Sequence, residues 1–272
     1  MVMKNLTILF IGDIIGRYGR AITNHVLPLL KAEMHLDLVI ANGENSASGN
    51  GITEKVYAEL VAEGIEVITM GNHIWDKKEF IPKIDECPRL IRPANYPDGV
   101  PGPDHLIIEK SGVKIGVFNL CGRVFMPALD CPFKRADRLV EEIKRQTNLI
   151  IVDMHAEATS EKQALATHLD GMVSAVIGSH THVQTADEKI MSGGTAYITD
   201  VGMVGADDSI IGMQKGQILQ RYLTQMPSRY EVETSGPALF NAVILNLDAA
   251  SGKATTIKRI FRRLETIDPS AQ

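Results

Sequence analysis

The chain reads as an α/β protein with a mostly parallel core, and three observations predict it. Apolar runs of strand length recur, and Leu6 to Ile11 is nearly continuous, which suits a strand covered on both faces. Each run stops at a turn of small polar residues. The first runs are separated by stretches of helical period, giving three successive β-loop-helix units, the pattern of parallel strands joined by right-handed crossovers.

The first strand, Leu6 to Ile11, ends at Gly12-Asp13. A loop with Gly16 and Gly19 leads to a helix over Ala21 to Met34, where Ile22, Val26, Leu29 and Leu30 repeat at helical spacing, and Pro28 marks a kink or a late start. Leu36, Leu38, Val39 and Ile40 form a second strand that closes on Asn42-Gly43-Glu44-Asn45. Thr53 is the expected N-cap of a helix to Glu63. The third strand, with Ile65, Val67, Ile68 and Met70, ends at Gly71-Asn72-His73.

Pro82 to Pro103 is rich in proline and turn residues and reads as a surface excursion with little regular structure. Leu106 to Ile108 and Val113 to Leu120, joined at Ser111-Gly112, predict a hairpin. A helix over Arg135 to Gln146 precedes the strand Leu149 to Val152, which ends at Asp153-Met154-His155. Ser160 and Gln163 have capping-box spacing for the next helix. Val173 to Ile177 is a short buried strand ending in Gly178-Ser179-His180-Thr181-His182, and Ala196 to Thr199 is another, followed by a Gly- and Asp-rich loop from Asp200 to Gly216. Ala242 to Leu247 and Ala254 to Ile260 complete a terminal hairpin.

Composition narrows the function. With 272 residues, 44% of them hydrophobic, the chain is long enough to bury a full core and is expected to fold as one domain over 1–272. A net charge of -5 argues against a groove that tracks many phosphates, so no extended nucleic-acid surface is expected. The basic run Lys258 to Arg263 reads as a solvated strand edge or helix face. Cys87, Cys121 and Cys131 are too few and scattered for a disulfide framework and read as reduced thiols. No run approaches the ~20 apolar residues that span a bilayer, and the N-terminus lacks a long apolar signal segment, so a cytoplasmic location is expected.

The strand ends carry Asp13, Glu44 with Asn45, Asn72 with His73, His155, and His180 with His182; four of the eight histidines fall there. Taken alone, Asp13 can cap a helix, Glu44 can pair with a lysine, His155 can be a satisfied core histidine and His180 with His182 can be solvated. Parallel strands, however, gather their carboxyl ends in one cleft. Oxygen and imidazole donors without a thiolate suit manganese, iron, zinc, nickel or cobalt. Seven donors exceed the need of one ion, and two ions sharing a carboxylate suit phosphoryl transfer.

The order Gly-Asp, Gly-Glu-Asn, Gly-Asn-His, a lone His and Gly-x-His-x-His resembles the calcineurin-like metallophosphoesterases. Two departures, Ile15 in place of a motif histidine and Glu44 in place of a bridging aspartate, match the YmdB-like 2',3'-cyclic-nucleotide 2'-phosphodiesterases. Further matches are Phe10 to Asp13, Ala41 to Asn45, Trp75-Asp76, His155 to Lys162, Gly178 to Ala186 and Thr199 to Met203. The resemblance implies a four-layer α/β/β/α sandwich of two mostly mixed sheets flanked by helices, with a dimetal site at the strand carboxyl ends. It implies two divalent or mixed-valence ions, iron or manganese first, with zinc, nickel, cobalt and magnesium as alternatives. Asp13, Glu44, Asn45 and His182 would hold one; Glu44, Asn72, His155 and His180 the other, with Glu44 bridging.

The resemblance also implies a small cyclic-nucleotide substrate, a water activated between the ions as nucleophile, a nucleoside 3'-phosphate product, His73 as general acid, and a homo-oligomer. Asp76 can orient His73 or cap a helix. The Gly202 to Gly212 loop and the Arg123 to Arg135 segment are candidate walls of the base pocket, or ordinary surface loops. Alternatives are a phosphomonoesterase, a diesterase for other nucleotides on the same centre, and a regulatory nucleotide-binding protein with slow turnover.

Overall fold

The computed structural model describes residues 5–267. The chain opens with β1 (Asn5–Ile11) and the short β2 (Asp13–Ile14), then α1 (Gly16–Glu33), β3 (Leu38–Asn42), α2 (Glu54–Ala62) and β4 (Val67–Thr69). A 3-10 turn at Ile81–Glu86 leads to β5 (Leu90–Ile91), followed by β6 (His105–Lys110) and β7 (Val113–Cys121). Next come α3 (Pro132–Lys144), β8 (Ile150–His155), α4 (Thr159–Leu169) and β9 (Ala175–Ser179). The last part holds β10 (Lys189–Ile190), β11 (Ala196–Ile198), β12 (Met203–Ala206), α5 (Lys215–Thr224), β13 (Pro237–Asp248) and β14 (Ala254–Thr266).

Two mixed sheets form. One runs β2-β12-β13-β1-β3-β4-β5 with β14 paired to β13; the other runs β10-β11-β9-β8-β7-β6. The parallel sets β1-β3-β4-β5 and β7-β8-β9-β11 form the expected parallel core, while β13 pairs antiparallel with β1, and β6 and β10 are antiparallel edges. The core is therefore less uniformly parallel than the β-loop-helix pattern alone suggests, because the C-terminal hairpin inserts beside β1.

The strands alternate between two interiors, as the two-residue period of a strand requires. Leu6, Ile8 and Phe10 of β1 face a shared interior with Ile151 of β8 and Ile177 of β9. Leu9 and Ile11 face the α1 and α2 side, and Ile150, Val152 and Val176 face the α3 and α4 side. Three apolar interiors between helix, sheet, sheet and helix make the four-layer sandwich.

Several boundaries differ from expectation. Helix α1 begins at Gly16, so both loop glycines lie inside it, and Pro28 sits within it without ending it. Gly19 has a packing reason: a Cβ there would fall on the Val204 carbonyl, so its absence lets α1 lie against β12. Thr53 does cap α2, accepting the Val56 N–H at 3.3 Å. The Ser160–Gln163 capping box does not form: α4 starts at Thr159 after Ala158, which puts Ser160 inside the helix. The excursion after Pro82 contributes the 3-10 turn and β5, and the Asp200 to Gly216 loop contains β12 and opens into α5.

The basic run lies on β14 at a sheet edge, where Ile260 packs on the core but Phe261 is exposed. Cys87 and Cys121 are buried and Cys131 half-buried, all free. No helix among the described residues is long and apolar enough to cross a membrane.

Candidate metal centre

The carboxyl ends of β1, β3, β4, β8 and β9 meet at one end of the sandwich and bring the strand-end residues together. Glu44, His155 and His180 each offer a ligand atom within 4.8 Å of the others. Asp13 Oδ1 lies 3.9 Å from His182 Nε2 and 4.0 Å from His155 Nδ1. Asp13, Glu44, Asn45, His155 and His182 are buried, and His180 is partly so.

The cluster holds acceptors without donors. Asp13 Oδ1, Asn45 Oδ1 and Asn72 Oδ1 are buried with no hydrogen-bond partner. An unpaired buried polar atom costs roughly 1–3 kcal/mol, and water, ions or strain must account for it. Three such oxygens beside convergent imidazole nitrogens form a donor set suited to divalent cations. Asn45 donates its amide N–H to the Gly49 carbonyl at 2.9 Å, which leaves its oxygen as the free end. Ile15, the departure from the motif histidine, packs instead with Met203 and Leu239.

Each histidine is oriented by a second contact. His182 Nδ1 donates to the Ile211 carbonyl at 2.9 Å and leaves Nε2 toward Asp13. His180 Nε2 lies 3.2 Å from Glu157, which leaves Nδ1 facing His155 Nε2 at 3.0 Å. His155 Nδ1 lies 2.9 Å from Ser179 Oγ, and its Nε2 lies 2.8 Å from Glu44 Oε1. Such outer contacts set the tautomer and aim of metal-binding imidazoles.

Behind them, Asp153 accepts hydrogen bonds from Thr69, Ser179 and Asn42, a buried network joining the two sheets under the site. A Cβ at Gly71 would fall on the Glu44 carboxylate and the His155 ring, so this turn requires glycine for close approach.

The electrostatics follow from burial. Burial pushes the Asp13 carboxyl up to about 6 against the pull of His182 and His155. Burial also opposes ionisation of Glu44, but the His155 charge and hydrogen bond outweigh it and lower Glu44 to about 2. Burial lowers His155 as well, and the Glu44 carboxylate reverses this and raises it to about 9. His180 is lowered to about 3 by burial and the neighbouring His155 charge.

His73 is half-buried, with its backbone N–H donating to Glu44 Oε2 at 3.0 Å. Its Nδ1 lies 2.9 Å from Asp76 Oδ2, which also accepts from Asn50 at 2.9 Å. Asp76 thus orients His73 and caps no helix, since the chain beyond it runs in turns.

Glu44, Asn45, His180, His182 and His73 open onto a cleft of about 880 Å³. Of the two expected walls, only Ile211 of the first loop lines it; Asp130, Cys131, Lys134 and Arg135 line a separate cavity. Met213, Ile218, Tyr222, Arg229 and Tyr230 also line the cleft, from α5 and its flanks, which the reading of strand ends did not reach. Glu157, Lys162 and Asp200 were visible only as motif neighbours; their contacts with the histidine loop are tertiary.

Comparison with known proteins places the chain in a family. Residues 9–260 match the family model for YmdB-like proteins. A Bacillus subtilis 2',3'-cyclic-nucleotide 2'-phosphodiesterase is 48% identical over 256 residues, covering 94% of this chain and 97% of the relative. A solved hypothetical protein from Thermus thermophilus is 40% identical with a TM-score of 0.89, covering 95% of this chain and all (100%) of that one. A solved Mycoplasma pneumoniae phosphatase is 36% identical with a TM-score of 0.91, covering 97% and 95% of the two chains. The chain therefore belongs to the YmdB-like protein family.

Proposed function

We propose that the protein is a metal-dependent phosphoric diester hydrolase that opens 2',3'-cyclic nucleotides at the 2'-oxygen and leaves nucleoside 3'-phosphates. The observation that carries the reading is the set of buried, donorless oxygens on Asp13, Asn45 and Asn72 around the Glu44–His155–His180 cluster. The 48% identical relative supports the substrate class. Asp13, Glu44, Asn45 and His182 would hold one ion and Glu44, Asn72, His155 and His180 a second, iron or manganese. Bound divalent cations supply Lewis acidity, lowering the pKa of water and neutralising charge on phosphoryl oxygens.

The chain's own groups complete the chemistry. A water oxygen attacks phosphorus as the bond from phosphorus to the 2'-oxygen breaks; the water's own proton leaves to solvent, and the departing alkoxide needs a proton. His73 donates it: Asp76 holds Nδ1, so Nε2 is the free end toward the cleft. Such general-acid assistance contributes roughly 10²- to 10⁴-fold. The bond from His73 N–H to Glu44 fixes the acid relative to the carboxylate shared by both ligand sets.

Two substitutions test this. Glu44→Gln is expected to lose both bound metal, by elemental analysis, and turnover of 2',3'-cyclic AMP. His73→Ala is expected to keep the metal and lose turnover by the general-acid factor. Full activity in either variant, or phosphorus NMR showing a 2'-phosphate product, contradicts the corresponding assignment.

A further inference from the structure

The lining of the cleft is of two chemical kinds. One is the charged cluster, with Glu44, His180 and His182. The other is Tyr222, Arg229 and Tyr230, from α5 and the segment that follows it. This arm is held in shape: Glu231 N–H donates to Gln217 Oε1 at 2.7 Å, Ser228 Oγ donates to the Gln217 carbonyl at 3.2 Å, and Met213 bridges Val232.

On this wall the side chains are not equivalent. Tyr230 is covered by Arg221, whose guanidinium lies 5.4 Å from the ring centroid. Tyr222 is 71% exposed, and it lines the cleft whereas its exposed helix neighbours Leu219 and Leu223 do not. Arg229 faces the cleft with no ion pair or hydrogen bond among the described residues. The wall thus offers a bare aromatic face and a free planar cation in the same cavity as the charged cluster.

We propose that Tyr222 and Arg229 form the nucleobase subsite, Tyr222 stacking on the base and Arg229 donating hydrogen bonds to base acceptors or covering its second face. The proposal rests on the diester-hydrolase reading and adds how the substrate's non-reacting half is held. Every base has a π-face, so stacking is tolerant of sequence, and guanidinium planes stack on bases as aromatic rings do. A cleft of about 880 Å³ lies within the ordinary range for small-molecule sites and leaves room for a nucleoside beyond the phosphate. Lys77 on the rim adds positive charge beside the phosphate path in an otherwise acidic chain.

The test compares 2',3'-cyclic AMP with a substrate lacking the base, methyl ribofuranoside 2',3'-cyclic phosphate, on the metal-loaded full chain. For Tyr222→Ala the ratio of kcat/KM for the nucleotide to that for the base-free diester is expected to fall about tenfold or more, chiefly through KM, the scale of one lost base stack. Tyr222→Phe is expected to restore it, and Arg229→Ala to lower the same ratio. An unchanged ratio in both alanine variants overturns the subsite, as does an equal loss on both substrates. If the wild-type protein turns over neither diester, the hydrolase reading fails by itself. Calorimetric binding of adenosine 3'-phosphate, expected to weaken about tenfold in Tyr222→Ala, then decides the subsite independently.

Discussion

Glu63 shows a residue whose environment works against its charge. It caps the C-terminus of α2, where the helix dipole disfavours an anion, and both carboxylate oxygens are buried without a partner. Burial, with Glu59 nearby, raises its pKa from 4.5 to about 7 against the pull of Arg20. The sign follows: the folded carboxyl holds its proton to higher pH than the unfolded one, so stability is fully present below about pH 4.5 and falls as pH rises through 7. Glu63→Gln is therefore expected to match the wild type near pH 4 and to exceed it at pH 8 by about 1 kcal/mol, a figure reduced from the full linkage because the residue as a whole is only partly buried. Parallel urea melts at the two pH values check it; an equal gain at both excludes a titrating cause. At this same scale the residues that cluster at the site were legible, because oxygen and imidazole side chains at strand ends are rare in combination. Asp76 was ambiguous, since hydrogen-bonding to His73 and capping a helix ask for the same side chain.

The loop after β9 carries the two proposed ligand histidines in a backbone state that side-chain-bearing residues avoid: φ is 98° at His180 and 65° at His182. Each such residue costs on the order of 1–3 kcal/mol and persists where surrounding contacts over-determine it. The contacts are a buried clamp. Lys162 Nζ donates to the Ser179 carbonyl at 2.6 Å and to Asp200 Oδ2 at 2.7 Å. Asp200 Oδ2 also accepts from the N–H and hydroxyl of Thr181, the residue between the two histidines. Lys162→Met leaves Asp200 buried and uncompensated, so a loss of about 3–5 kcal/mol is expected by denaturant unfolding. Adding Asp200→Asn should cost less than the sum of the two single changes; strict additivity in the double-mutant cycle would show that the pair does not act as a clamp. The elements themselves were only partly legible. Apolar runs marked β1, β3, β4, β8 and β9, but β12 lay unread because glycine and aspartate dominate the Asp200 to Gly216 stretch and its pairing partners are distant in sequence; α5 lies past that stretch, and the helical spacing of Ile218, Leu219, Tyr222 and Leu223 was open to reading.

For the whole molecule, the site joins two sheets: Asp13, Glu44 and Asn72 follow strands of one, and His155 and His180 belong to or follow strands of the other. Cations bound between them would tie the halves together in the folded state only. At a free metal concentration about a hundred times Kd, this linkage is worth ~2.7 kcal/mol. Adding manganese to chelator-treated protein should thus raise Tm by about 5–10 °C, since each kcal/mol shifts a protein of this size class by roughly 2–4 °C. A Tm insensitive to manganese and iron would argue against a site that bridges the sheets. The sequence by itself determined the α/β class, the main strands and the oxygen and imidazole side chains that stand at their ends, because local periodicity and side-chain chemistry are written along the chain. Only the tertiary structure decided that the C-terminal hairpin makes the first sheet mixed, that Lys162 and Asp200 clamp the histidine loop, and that α5 supplies the wall of the cleft. These depend on pairings across tens to hundreds of residues, and they are set by which surfaces can be buried together.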